Sequence, residues 1–254
     1  MKSNQEIAVI LDQAAKDAKA VPQMAADNTM SLPDAYTIQR QSIALRQQRG
    51  EHITGFKLGF TSKAKMEQMG VHDLIWGILT NTMELQQSET VNLDRWIHPR
   101  AEPEIAFRVS KDIDRALTLE ELPSYLDAMA SALEIIDSRY ENFKFSLEDV
   151  VADNCSSTGY VIGQWQPLDT NISNLAMELL IDNTSVESAT SAAILENPLQ
   201  SVVELSRLAS AAGITVKKGH VILAGAATAA KFLEKNQHIT ARVERLGDAH
   251  FKTH

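Results

Sequence analysis

Polar and apolar positions change period several times along the chain, and each change marks an element. Ile7, Ile10, Leu11 and Ala14 recur at helical spacing and predict a first helix from about Ser3 to Ala20. Ser31-Leu32-Pro33-Asp34 reads as a helix start with proline in the first turn; Ala35, Ile38, Ile43 and Leu45 carry that helix to about Gly50. ITGFKLGF, Ile53 to Phe60, reads as a strand, and SKAKMEQMG as a short helix closed by Gly70. Ile75 to Asp94 mixes turn residues with short apolar runs and predicts a loop with a hairpin. IHPRAEPEIAFRV, Ile97 to Val109, alternates as a strand. Leu122, Leu126, Met129 and Ala132 predict a helix over Leu119–Ala132, running into a core strand at Leu133, Ile135 and Ile136. SLEDVVADN is a helical turn before a loop, and GYVIGQW a strand. LAMELLIDNTSVES reads as two strands joined at Asn183, followed by a helix over about Pro198–Ala212. HVILAGAAT and HITARVERLGDAHFKT are strand-like.

Helices gather at the N-terminal end and strands dominate the remainder, which predicts an α+β fold over a regularly alternating one. The expected division is a helical lobe with the first strand over residues 1–80 and a β-rich catalytic core over residues 81–254. At 254 residues the chain buries a sizeable core. Its net charge of −9 and lack of a basic run exclude nucleic acid and anionic membrane surfaces as natural partners. One cysteine, Cys155, leaves no intrachain disulfide and suits a reducing cytoplasm. Acids interrupt the apolar positions of the first twenty residues, unlike a signal peptide, and no apolar run reaches membrane-spanning length.

The most informative chemistry is the pair Glu102 and Glu104. Residues at i and i+2 of a strand share a face, so two like charges are set side by side. A solvated sheet face would tolerate them, but Ala106 continues that face inward. Two carboxylates converging on a hard cation such as Mg²⁺ or Mn²⁺ remove the repulsion. A third acid is then expected in another core strand. Glu134, between Leu133 and Ile135, is the first candidate because a lone buried acid is costly, and Asp137 is the second. Without a cysteine or histidine pattern, zinc is not indicated. Lys57, between Phe56 and Leu58, needs a carboxylate or an anionic ligand unless it reaches water from an edge strand. IDSRYENFKF interleaves Asp137, Arg139, Glu141 and Lys144 with aromatic residues, a pattern an ion-paired structural loop would also give. DNCSST, Asp153 to Thr158, offers hydroxyls and amides for a carboxylate. Nucleotide-binding glycine motifs and nucleophile–histidine arrangements are absent from the sequence.

GFKLGFTSKAKMEQMGV, HPRAEPEIAF, EIIDSRYENFKFSLEDVVADNCSS and HVILAGAATAA, taken in order, resemble the 2-keto-4-pentenoate hydratase and 4-oxalocrotonate decarboxylase family of the fumarylacetoacetate hydrolase superfamily. The resemblance implies a mixed β-roll with a smaller helical N-terminal portion. It implies that Glu102, Glu104 and Glu134 hold Mg²⁺ or Mn²⁺, that Lys57 is the active-site lysine, and that Ser156 contacts substrate. Arg139 is a further candidate, for the departing carboxylate. IDSRYENFKF resembles the decarboxylase branch, and Ile75 stands where hydratases carry an acid, with Asp73 two residues away. The implied reaction is metal-dependent decarboxylation of 2-oxo-3-hexenedioate (4-oxalocrotonate) to 2-hydroxypenta-2,4-dienoate in aromatic catabolism. Its alternatives are hydration of that dienoate, C–C bond hydrolysis, or a partner without turnover. Expected partners are the 2-keto acid, further copies of the chain and a hydratase. The chain departs from the family at LENP (Glu196–Pro198), where Gly-His is usual before the proline. It departs again at LAGAAT, where Thr-Gly-Gly is usual, and at EKNQH, where a Pro-Gly-Asp turn is lost. These departures bear on the substrate more than on the metal.

Overall fold

The computed structural model describes residues 2–25, 29–61 and 73–254. The helix expected over SKAKMEQMG lies outside them. Two helices open the chain: α1 (Asn4–Asp17) and α2 (Leu32–Gln48). Each begins with a serine whose side chain accepts from the N3 backbone N–H while the N3 acid reaches back: Ser3 with Glu6, Ser31 with Asp34. Their buried faces, Ile7, Leu11, Ala35 and Ile38, pack with Ile75, Tyr140 and Val151, so the helices rest on the core.

The strands follow as β1 (Ile53–Gly59), β2 (Ile75–Thr80), β3 (Glu84–Leu85), β4 (Thr90–Val91), β5 (Arg100–Val109) and β6 (Leu126–Ile136). A short helix, α3 (Leu147–Ala152), precedes β7 (Ser157–Ile162), β8 (Gln166–Pro167), β9 (Ala176–Ile181) and β10 (Thr184–Thr190). Helix α4 (Pro198–Ala211) is followed by β11 (Val221–Leu223), β12 (Lys231–Phe232), β13 (His238–Val243) and β14 (Gly247–Thr253). Among the described residues these form two sheets. One runs β2-β1-β11-β5-β6-β7-β3, with β12 on β5 and β8 on β6; the other runs β10-β9-β13-β14-β4. Strands β1 and β2 are thus hydrogen-bonded into the sheet that also carries β5 and β6. The β9–β10 hairpin turns at Asp182 and Asn183, both with positive φ, as a two-residue turn matched to strand twist requires.

Two expectations are corrected. Leu119–Ala132 is not a helix: a 3₁₀ turn covers Leu119–Ser124, and β6 begins at Leu126. Paired at its edges by β5 and by β8 and β7, β6 packs apolar side chains into clusters on both faces and opens to solvent only at Asp127 and in part at Ile136, so its apolar residues show no strict alternation. Ile75–Thr80 is likewise a fully buried strand and not a loop.

The two faces of β5 and β6 have different duties. Ala101, Leu133 and Ile135 pack against Leu179, Ile239, Ala241 and Phe251 of the second sheet. The opposite face carries Glu102, Glu104, Ala106, Ala132 and Glu134. Pro103 is tolerated in this interior strand because its carbonyl, and hence its nitrogen, faces Ala227, where the β11 ladder has ended.

Candidate active site

Pairing of β5 with β6 sets Glu102 directly opposite Glu134 and Glu104 opposite Ala132. Period-two projection then aims all three glutamates to one face, and one oxygen from each lies within 4.8 Å of the others. Their relative exposures are 8%, 0% and 0% for Glu102, Glu104 and Glu134. The alanines beside them, Ala106 and Ala132, leave the room that long side chains need.

Lys57 arrives from β1, which pairs through Leu223 of β11 to Ala106 of β5 and therefore presents Lys57 to the same face. Its Nζ lies 2.8 Å from Glu134 Oε2. Its neighbour across β2 is Gly77. A Cβ there would stand 2.7 Å from the Asn154 carbonyl and 3.1 Å from Lys57 Cδ, so only glycine lets the lysine stem pass.

The electrostatics follow from burial and proximity. Burial pushes Glu104 well above the usual carboxylate range, and the charge of Glu134 adds to it; Lys57 opposes both. Glu134 is also raised by burial, against the pull of Lys57. Burial alone would lower Lys57, but Glu134 and then Glu104 outweigh it and hold the ammonium charged above its ordinary range. Three acids against one lysine leave an excess of buried negative charge. Glu104 Oε2 accepts from the Gly225 N–H at 2.8 Å, while Glu104 Oε1 and Glu134 Oε1 have no hydrogen-bond partner. Orphaned oxygens on converging carboxylates, with no sulfur or imidazole in the set, fit a hard divalent cation such as Mg²⁺ or Mn²⁺.

A tight turn brings the next wall. Asn154, Cys155 and Ser156 all have positive φ (49°, 52° and 58°). The turn is held by the Asn154 side chain, whose Nδ2 donates to the Ile78 carbonyl and whose Oδ1 accepts from the Ile78 N–H, each at 2.8 Å. The Cys155 thiol donates to the Trp76 carbonyl at 3.1 Å, and burial pushes its pKa up to about 12, so it is no nucleophile. Ser156 Oγ is buried without a partner. Lys57, Glu102 and Ser156 line a cavity of about 560 Å³, counting its open mouth, whose apolar side includes Ile75, Phe143 and Phe145.

The remaining sequence candidates fall elsewhere. Asp137 gives both oxygens to the N–H groups of Ile97 and His98, 2.8 Å each, and takes no part in the acid cluster. Arg139, expected to hold a carboxylate of the substrate, is instead a clamp for the 153–158 turn. It donates to the Asp153 carboxylate and carbonyl, to the Asp137 carbonyl at 2.6 Å and to Thr158 Oγ1 at 2.8 Å. With its donors so committed, it does not line the cavity of Lys57. Asp73 pairs with Arg207 at 2.8 Å, whereas Ile75 does face the cavity.

Three participants have roles that the sequence reading did not assign. Gly225, in LAGAAT, donates to Glu104 at φ +104°, and a Cβ on it would stand 2.3 Å from Thr61 Oγ1. Asn154 and Gly77 act through contacts between segments far apart in the chain. The glycine of LAGAAT carried a signal as a backbone marker inside an apolar run, and Asn154 stood in the polar loop DNCSST.

The profile described as fumarylacetoacetate (FAA) hydrolase C-terminal matches residues 63–252. The chain is 46% identical to a 4-oxalocrotonate decarboxylase of Pseudomonas sp, covering 97% of this chain and 96% of that one. It is 35% identical to a 2-hydroxyhexa-2,4-dienoate hydratase of Comamonas testosteroni, over 77% and 76%. The 4-oxalocrotonate decarboxylase of Pseudomonas putida G7, solved with magnesium and adipate, superposes with a TM-score of 0.95 at 31% identity, covering 99% and 97%. Among the described residues no helix is long and apolar enough to cross a membrane.

Proposed function

The chain belongs to the fumarylacetoacetate hydrolase family, and on that footing we propose that it is a divalent-metal-dependent carboxy-lyase. Its substrate would be 2-oxo-3-hexenedioate and its product 2-hydroxypenta-2,4-dienoate. The likeness over nearly the whole length to proteins named 4-oxalocrotonate decarboxylase supports this reading, as does the magnesium and adipate complex of one of them. The observation that carries it is the cavity: a charged end at Lys57 and Glu102 facing an apolar wall at Ile75, Phe143 and Phe145.

Glu102, Glu104 and Glu134 would hold Mg²⁺ or Mn²⁺, which supplies Lewis-acid stabilisation of negative charge at the 2-keto end of the substrate. The chain's own groups do the rest. Lys57, kept cationic by Glu134 and Glu104, lies where negative charge gathers on the keto oxygen and favours the dienolate over the starting ketone. The unpartnered Ser156 Oγ is free to donate to a substrate carboxylate and fix its orientation. The distal carboxylate would meet the apolar wall, where its charge is poorly solvated. Loss of CO₂ relieves that: the C5–C6 bond breaks, and its electrons pass through the C3–C4 double bond to the keto oxygen, which then takes a proton.

Proteins named as hydratases are also similar to this chain, and the cavity wall supports the decarboxylase branch over theirs. Ile75 is apolar where the resemblance expects an acid in a hydratase, and Asp73 is tied to Arg207. The proposed product is a compound that a hydratase can take up. Assembly with a hydratase, self-association and a cytoplasmic location are parts of the same proposal. The division at residues 80 and 81 is kept only as a proposal for how the helical part is delimited.

The test is a side-by-side assay with Mg²⁺ of CO₂ release from 2-oxo-3-hexenedioate and of water addition to 2-hydroxypenta-2,4-dienoate. CO₂ release is the expected activity. Hydration alone would overturn the reading in favour of the hydratase branch.

A further inference from the structure

The joint between the helical part and the sheet holds several carboxylates, and their strong contacts are already made. Asp12 of α1 receives Arg49 through both oxygens at 2.7 Å. Glu51 Oε2 accepts from the hydroxyls of Thr80 and Thr82 at 2.6 and 2.7 Å. Asp137 is taken by two backbone N–H groups and Asp153 by Arg139. Among the described residues Arg46, in the last turn of α2, makes only two long ion pairs, with Glu51 and Asp12. The nearest carboxylate oxygens to its guanidinium, on Glu51 and Asp12, stand at 3.8 and 3.9 Å, beyond hydrogen-bond reach, although the side chain is only 17% exposed. No other acceptor reaches it among the described residues. A guanidinium this buried is costly without an acceptor.

The space in front of Arg46 is a cleft of about 450 Å³, counting its open mouth, lined also by Arg95, Arg139, Thr82, Thr158 and Asp137, whose two oxygens are already held by backbone N–H groups. It continues past Arg46 and Arg95 toward Lys16, Arg49 and Glu51. Burial, and then the like charge of Arg139, depress the Arg46 pKa, so the two guanidiniums repel across this space. In a chain of net charge −9 such a convergence of cations is local and runs against the overall field. One carboxylate would satisfy one arginine fork; the forks of Arg46 and Arg95, reaching the cleft from different elements, suit a tetrahedral oxyanion, while Arg139, committed to its turn, adds only charge.

We propose that this cleft is an anion site, separate from the acid-lined cavity, which takes a phosphate-type oxyanion on Arg46 and Arg95. Neither residue has a part in the proposed decarboxylation, so the two ideas stand or fall separately.

The test is calorimetric titration of the Mg²⁺-loaded protein with inorganic phosphate at constant ionic strength, with chloride as control. Saturable binding to phosphate and none to chloride is expected, and Arg46→Gln should weaken it roughly tenfold or more. If Arg46→Gln does not fold, Arg95→Gln, at an exposed rim position, should weaken it by a smaller factor. Glu104→Gln should leave phosphate binding unchanged. A parallel titration with glycerol phosphate separates the sources: tighter binding assigns the site to an organic phosphate, equal or weaker binding to phosphate itself. Absence of saturable binding overturns the proposal, as does undiminished binding in the arginine variants or its loss in Glu104→Gln. Phosphate-driven dissociation of an oligomer in sedimentation would also overturn it, since the cleft would then hold a carboxylate of a second copy.

Discussion

Replacing Glu104 with glutamine should stabilise the metal-free protein while abolishing its activity, and the magnitude follows from the cluster itself. Glu104 and Glu134 are fully buried with oxygens no more than 4.8 Å apart. At that distance two charges repel by about 3.5 kcal/mol for an effective dielectric of about 20. Lys57 attracts both, so a net relief of about 2 kcal/mol is expected, on the order of 4–8 °C in Tm for a chain of this size. The glutamine carbonyl can keep the Gly225 N–H, and its amide can donate toward the orphaned Glu134 Oε1. The sign depends on pH. A carboxyl raised on folding binds its proton more tightly in the folded chain, so it withdraws stability as pH climbs from the ordinary carboxylate range toward its raised value. The advantage of Glu104→Gln should therefore be small near about pH 5 and larger near about pH 8. Saturating Mg²⁺ should reverse the order, because bound ligand adds about 2.7 kcal/mol at roughly a hundredfold excess over Kd, and the variant loses most of that. Thermal unfolding of both proteins in chelator and in Mg²⁺, at both pH values, reads all four terms. A variant less stable than the parent in chelator at the higher pH, or one with an undiminished Mg²⁺ shift, would refute the reasoning.

Other consequences can be checked with standard assays. Lys57→Met should lower kcat for CO₂ release by about 10²–10³-fold, the usual effect of losing a buried electrostatic donor, while metal binding by calorimetry persists. Ser156→Ala should raise KM by roughly tenfold through the loss of one hydrogen bond to a charged group, with a smaller effect on kcat. Gly77→Ala should destabilise the fold by about 1–3 kcal/mol in urea unfolding, since its Cβ would meet the Asn154 carbonyl at 2.7 Å. Apparent Mg²⁺ affinity should fall as pH is lowered, because the raised Glu104 and Glu134 must release protons to bind it; equilibrium dialysis across pH measures this.

Local rules were readable in the chain before any fold was known. Ser3 and Ser31 announce their helices because capping depends on three or four adjacent residues, and Asp182-Asn183 announces its hairpin for the same reason. The shared face of Glu102 and Glu104 is equally local, since a strand projects its side chains with period two whatever surrounds it. That Glu134 stands opposite Glu102, and that Lys57 reaches it across β11, is a matter of strand register, which is set by pairing between segments far apart in the chain. The same distance effect reassigned the region from Leu126 to Ala132. Its helical spacing was real, but from Ala128 onward apolar clusters cover both faces of β6, which makes any period acceptable, and the sheet decided. Arg139 shows the limit most plainly. Its charge and its aromatic neighbours were visible, whereas its direction was set by Asp153 and by the carbonyls of a turn that exists only when the sheets have closed.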